Sequence, residues 1–176
     1  MNIIITLLLA VAGFIALLLI IAFFMKREHF AKREIIIHAP RQKVFDYLKF
    51  LKNQDAFNTG AMAGADRKRE FKGTDGTVGY IYSWSGDKNA GEGEKEIKNI
   101  IEGKRIETEI RFVKPMVTSA TIIMEMESLP GDLTKVYWSN AGTLKYPVNI
   151  MIPMVEKSVA KGIDVSLPAL KSILEK

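Results

Sequence analysis

The sequence predicts an α+β protein: one transmembrane helix, then a curved antiparallel sheet wrapped on a long C-terminal helix. Three observations carry this. Residues Ile3 to Met25 form an apolar run in which only Thr6 and Gly13 are not strongly hydrophobic. Between Val78 and Asn140, successive segments alternate apolar and polar side chains with period two, separated by glycine- and proline-containing turns. From Asn149 to Lys176, Val155, Val159, Ile163, Leu167, Leu170 and Leu174 recur at spacings of four and three, the stripe of an amphipathic helix.

The apolar run makes a helix of roughly 35 Å, enough to cross a hydrocarbon core of about 30 Å with some tilt. A cleaved signal peptide would carry a basic leader and a small-residue cleavage site. Here only Met1 and Asn2 precede the run, and Phe23, Phe24 and Met25 close it. A core helix would be amphipathic, whereas this one is apolar all round. The expectation is a single-pass anchor over 1–25. Lys26, Arg27, Lys32 and Arg33 follow it and no charge precedes it, so the positive-inside bias places the rest of the chain on the cytoplasmic side of the inner or plasma membrane. Residues 26–32 read as a basic linker and 33–176 as one globular domain.

Within that domain, Arg33 to His38 (R-E-I-I-I-H) is a β-branched run and the expected first strand. Pro40 suits the first turn of a helix, and Val44, Phe45, Tyr47, Leu48 and Leu51 at helical spacing predict that helix over 41–52. Residues 53–66 lack strong periodicity and read as loop with a short helical turn. Nine of the thirteen glycines then fall between Gly60 and Gly103, where hairpin turns are needed. Val78, Tyr80, Tyr82 and Trp84 share one strand face. Ile106, Thr108, Ile110 and Phe112 form a second such set, Ala120, Ile122, Met124 and Met126 a third, and Thr134, Val136, Trp138 and Asn140 a fourth. Turns at Gly73–Gly76, Gly86–Gly91, Glu102-Gly103, Lys114-Pro115 and Pro130–Asp132 are short, so the strands form an antiparallel meander whose apolar face needs a cover. The C-terminal helix supplies it, with Pro168 expected to kink it or to split off its last turn.

Composition narrows the chemistry. The net charge of +5 resides in the domain and is diffuse, with no long basic block, which argues for a membrane surface and against nucleic acid. The absence of cysteine excludes disulfides and thiolate catalysis, and two distant histidines, His29 in the linker and His38 at a strand end, do not make a metal site. Ser83, Ser85 and Ser139 lack a visible base partner, and Gly91-Glu-Gly93 opens no phosphate-binding helix. Glu92, Glu94 and Glu96, like Glu107 and Glu109, read as a solvated strand face. No catalytic residues, metal ligands or cofactor are therefore expected.

Ile35 to Leu48 (I-I-I-H-A-P-R-Q-K-V-F-D-Y-L) resembles the opening of the START-like (SRPBCC) superfamily, where an apolar strand runs into Ala-Pro and an amphipathic helix. Tyr82 to Gly93, Arg105 to Phe112 and Leu133 to Trp138 are similar to its bacterial polyketide cyclase/dehydrase-like branch, with Leu133-Thr134 in place of that branch's usual Gly-Thr. The resemblance spans about 33–176. It implies a helix-grip fold with a cavity between sheet and C-terminal helix that receives a hydrophobic or amphipathic small molecule, such as a lipid, an isoprenoid or a quinone-like compound. The expected lining is Tyr80, Tyr82, Trp84, Ile110, Phe112, Met124 and Trp138 from the sheet, with Val159 and Ile163 from the helix. The expected partners are that small molecule and the membrane; no protein partner is implied. Because the superfamily holds enzymes, carriers, co-chaperones and sensors, two alternatives stand beside binding: a cyclase/dehydratase-type enzyme, or a protein-interaction module with a filled interior.

Overall fold

The computed structural model describes residues 2–58, 68–86, 91–114 and 116–176. The interiors of the expected loop at 53–66 and of the turn at Gly86–Gly91, together with Pro115, lie outside these. Helix α1 spans Ile3–Phe24 and is long and apolar enough to cross a membrane, with mean hydropathy 3.1. Strand β1 (Glu28–Ile37) follows, then helix α2 (Arg41–Leu48) and a 3-10 turn at Leu51–Ala56. Strands β2 (Lys68–Lys72), β3 (Ile81–Ser85), β4 (Glu92–Ile101), β5 (Arg105–Lys114), β6 (Thr118–Leu129) and β7 (Leu133–Thr143) come next. A second 3-10 turn (Val148–Met151) leads into helix α3 (Ile152–Leu174).

Among the described residues seven strands form one antiparallel sheet in the order β1-β7-β6-β5-β4-β3-β2. The meander of sequential neighbours is what short turns dictate, and β1 closes beside β7 to leave β1 and β2 as the edges. Alternation decides the faces. Ile97 on β4, Ile106 and Ile110 on β5, Ile122 and Met124 on β6, and Val136 and Trp138 on β7 all point inward and are buried. Against them pack α2, through Val44, Phe45 and Leu48, and α3, through Ile163, Leu167, Leu170 and Leu174.

Helix α3 also covers the β1 edge, whose unpaired groups would otherwise template aggregation. Glu156 accepts from the Phe30 backbone N–H at 3.1 Å, Lys171 Nζ donates to the Ile36 carbonyl at 2.9 Å, and Glu175 accepts from the His38 N–H at 2.7 Å. Arg33 pairs with Asp164 at 2.7 Å between them. The helix is continuous through Pro168 rather than splitting there.

Two expectations are corrected. Residues 26–32 are not a linker: β1 starts at Glu28 and pairs with Thr143, so Met25, Lys26 and Arg27 alone separate helix from strand. Nor does α1 hang free. Asn149, fully buried, donates its side-chain amide to the carbonyls of Ala22 at 2.6 Å and Met25 at 3.1 Å. Those carbonyls lie at the C-terminal end of α1, where carbonyls lack the usual helical donors; the Ala22 carbonyl also accepts from the Met25 N–H at 3.3 Å. The Leu144 N–H donates to the Arg27 carbonyl at 2.8 Å, and the Phe23 and Tyr146 rings meet edge-on at 6.5 Å.

Candidate functional site

A partly enclosed cavity of about 490 Å³ lies between the sheet and the first half of α3. Its floor is the inward face of β5, β6 and β7, through Ile110, Phe112, Ala120, Ile122 and Trp138. Its roof is Met154, Val155, Ser158, Val159, Gly162 and Ile163 of α3, and Leu144 closes one side. The volume lies within the roughly 300–1,000 Å³ typical of small-molecule sites.

The lining is mostly apolar, with polar atoms supplied by His29, Asn58, Thr118, Ser119, Asn140 and Ser158. His29 is buried, with Nε2 at 3.1 Å from Asn140 Oδ1. An amide oxygen only accepts, so Nε2 carries the proton of that bond. Gly142 makes room for the ring: a Cβ there would stand 2.5 Å from His29 Cε1 and 2.7 Å from the Ser119 carbonyl oxygen. His29 is thus a buried strand residue beside the cavity, not the solvated linker residue that the sequence predicts.

Of the nine expected lining residues, the structure brings Ile110, Phe112, Trp138, Val159 and Ile163 together around this cavity. It places the others elsewhere. Met124 is buried farther along β6, in the core. Tyr80, Tyr82 and Trp84 are buried in an aromatic cluster toward the β2 edge, with Phe71 stacked 6.5 Å from Tyr80 and edge-on 5.3 Å from Tyr82. Trp84 reaches Phe112 edge-on at 5.8 Å, so the cluster abuts the cavity wall without lining it. Trp84 seats over Gly93 on the neighbouring strand, where a Cβ would fall 2.6 Å from the indole. Sequence reasoning missed His29, Asn140 and Leu144, and did not assign Ile122 or Val155 to the lining. For His29 a signal existed: it and Ala31 share the phase of Ile35 and Ile37 on one strand.

A second polar group lies under the β3–β4 hairpin, away from the cavity. Lys95 points inward from β4, is fully buried, and donates its Nζ to Gln54 Oε1. Burial pushes its ammonium down to about 7, against the opposing pull of Asp55. Asp55 accepts from the Tyr82 hydroxyl at 3.0 Å and pairs with Arg69 at 3.2 Å. On the outer face, Arg111 lies 2.7 Å from both Glu94 and Glu96 and also pairs with Glu109. The Arg111 hydrogen bond holds the Glu96 carboxyl below its usual range, so these glutamates are a half-buried ion-pair network rather than a freely solvated face.

No known family model matches the chain, and no curated protein does. Solved structures do share its architecture. Truncated norcoclaurine synthase from Thalictrum flavum aligns over 83% of this chain and 92% of its own, at 14% identity and TM-score 0.63. Ara h 8.0201 aligns over 84% and 97%, at 16% identity and TM-score 0.58. The chain has the helix-grip fold. The Aha1 dimer from Colwellia psychrerythraea shares it too, over 83% and 96%, at 17% identity and TM-score 0.57. At these identities the likeness speaks to fold alone.

Proposed function

We propose that this protein binds a hydrophobic or amphipathic small molecule, of lipid, isoprenoid or quinone-like character, in the cavity under α3. In the same reading α1 tethers it to a membrane, with Lys26 and Arg27 holding the domain on the cytoplasmic side. The observation that carries the reading is the cavity itself: about 490 Å³ walled by Ile110, Phe112, Ile122, Trp138, Val159 and Ile163, with few polar side chains among its lining. Such a lining favours an apolar body and tolerates a single polar group. An interaction module with a filled interior would lack this space. Catalysis by proton transfer would need converging titratable groups, and among the described residues His29 alone lines the cavity as one.

Native mass spectrometry of the protein extracted in mild detergent tests the reading. The expected result is a co-purifying small molecule, or uptake of one on incubation with lipid extract. Val159→Trp, which fills the space, should abolish that signal while the protein stays folded. A wild-type protein that carries nothing and takes up nothing would overturn it.

A further inference from the structure

The cavity and the end of α1 occupy the same end of the domain. Asn149, which holds Ala22, sits three residues before Ile152, where α3 begins, and Met154 and Val155 of the first turn of α3 already line the cavity. Leu144, bonded to the Arg27 carbonyl, is another wall, and so is His29. Thr118, also lining, donates its hydroxyl to the Thr143 carbonyl, and Thr143 pairs with Glu28. The opposite end, marked by the turn before Arg105 and by the C-terminus of α3, is about 35 Å away along that helix.

This cavity end exposes apolar side chains. Val117 is 83% exposed, Phe30 and Met154 each 59%, Tyr146 42% and Met151 39%. Apolar side chains are exposed elsewhere too, at Phe71, Val78, Ile101 and Val165, but those here stand on the end of the domain that holds α1, and Tyr with flanking Lys and Arg is the residue mix of a membrane–water interface. Lys26, Arg27 and Lys145 are exposed there as well.

We propose that Phe30, Val117, Tyr146, Met151 and Met154 are seated in the interfacial layer of the bilayer, with Asn149 as the positioning residue. The cavity then opens onto lipid, and its ligand passes between bilayer and protein without crossing water. The inference rests on the tether reading above and extends it. A membrane, rather than a second protein, is the occupant because α1 is fixed to this very face. Once α1 is in lipid, residues a few positions from its last turn have nowhere else to be. A free leash would have left the orientation open; the bonds from the buried Asn149 amide to the Ala22 and Met25 carbonyls do not.

The chain has no cysteine, so single cysteines report cleanly. The full chain, carrying Leu9→Cys, Val117→Cys, Met154→Cys or Lys104→Cys, is labelled with an environment-sensitive fluorophore. Each is reconstituted in phosphatidylcholine vesicles with a minor fraction of phosphatidylglycerol, bearing doxyl groups near the acyl-chain head. Labels at positions 9, 117 and 154 are expected to be quenched several-fold more than the label at 104, at the far end. If position 9 is quenched while 117 and 154 behave like 104, the seating is wrong and the tether stands. If position 9 is not quenched, the tether itself fails and this inference with it. Adding Asn149→Leu should weaken quenching at 154 several-fold with position 9 unchanged, and equal quenching there would remove Asn149 from its positioning role.

Discussion

Lys95 shows how a single residue sets a pH dependence. In the unfolded chain its amine titrates near 10.5; in the fold, burial brings it down to about 7. Below pH 7 both states hold the proton, and the full cost of burying the ammonium is present. Between pH 7 and 10.5 the unfolded state binds more protons than the folded one, so stability rises with pH across that window. Lys95→Met removes the group. The expected outcome is that the urea midpoint of the wild type rises from pH 7 to pH 9 relative to that of Lys95→Met, the gap narrowing as the amine discharges. Parallel profiles would mean that Lys95 keeps its charge in the fold. The same residue marks a limit of sequence reasoning. Glu92, Glu94 and Glu96 announce an outward face, which puts Gly93, Lys95 and Ile97 inward by alternation. A lysine at an inward position is read as an exception until a partner such as Gln54, on a separate element, is known.

At the scale of elements, β3, β5, β6 and β7 were legible because their inward positions are mainly apolar at period two, and β4 because Glu92, Glu94 and Glu96 alternate along its outward face. Strand β2 was not, since K-R-E-F-K is exposed along its whole length and has no buried face to leave a pattern. The first half of β1 was hidden by Lys32 and Arg33, which stay exposed because their heads reach Tyr137 and Asp164 at the sheet rim. Helix α3 was legible from its leucine stripe, and of the two outcomes expected at Pro168 the splitting off of the last turn does not occur. Pro168 is exposed, and inside the helix it costs the bond its missing N–H would have made to Asp164 and the crowding of its ring against that carbonyl. Restoring that N–H with Pro168→Ala should therefore raise stability by about 1–3 kcal/mol, since no core contact is lost. Urea unfolding measures this directly, and an unchanged or lower midpoint would show that the ring contributes contacts the exposed position hides.

For the whole molecule, alternation told which face each residue takes but not how far along the curved sheet it lies. Ile110, Phe112 and Trp138 fall beside the first half of α3 and meet the cavity. Tyr80, Tyr82 and Trp84 occupy the same face beyond it and fill the core. The junction between α1 and the domain was illegible for a different reason: Asn149 and Ala22 are 127 residues apart, and no local pattern links them. That junction decides whether the anchor is part of the fold. The continuous core does not include Ala22, so a chain beginning at Lys26 should keep the sheet and α3. It loses the two main acceptors of a fully buried amide, Ala22 and Met25, and an unsatisfied buried polar group costs about 1–3 kcal/mol. The truncated chain should therefore show unchanged far-ultraviolet circular dichroism and a lower urea midpoint. Asn149→Leu should recover part of the loss in the truncated chain while destabilising the full one. This reversal of sign separates a satisfied junction from simple shortening: if Asn149→Leu acts alike in both, Asn149 does not depend on α1, and if the truncated chain fails to fold, α1 belongs to the core.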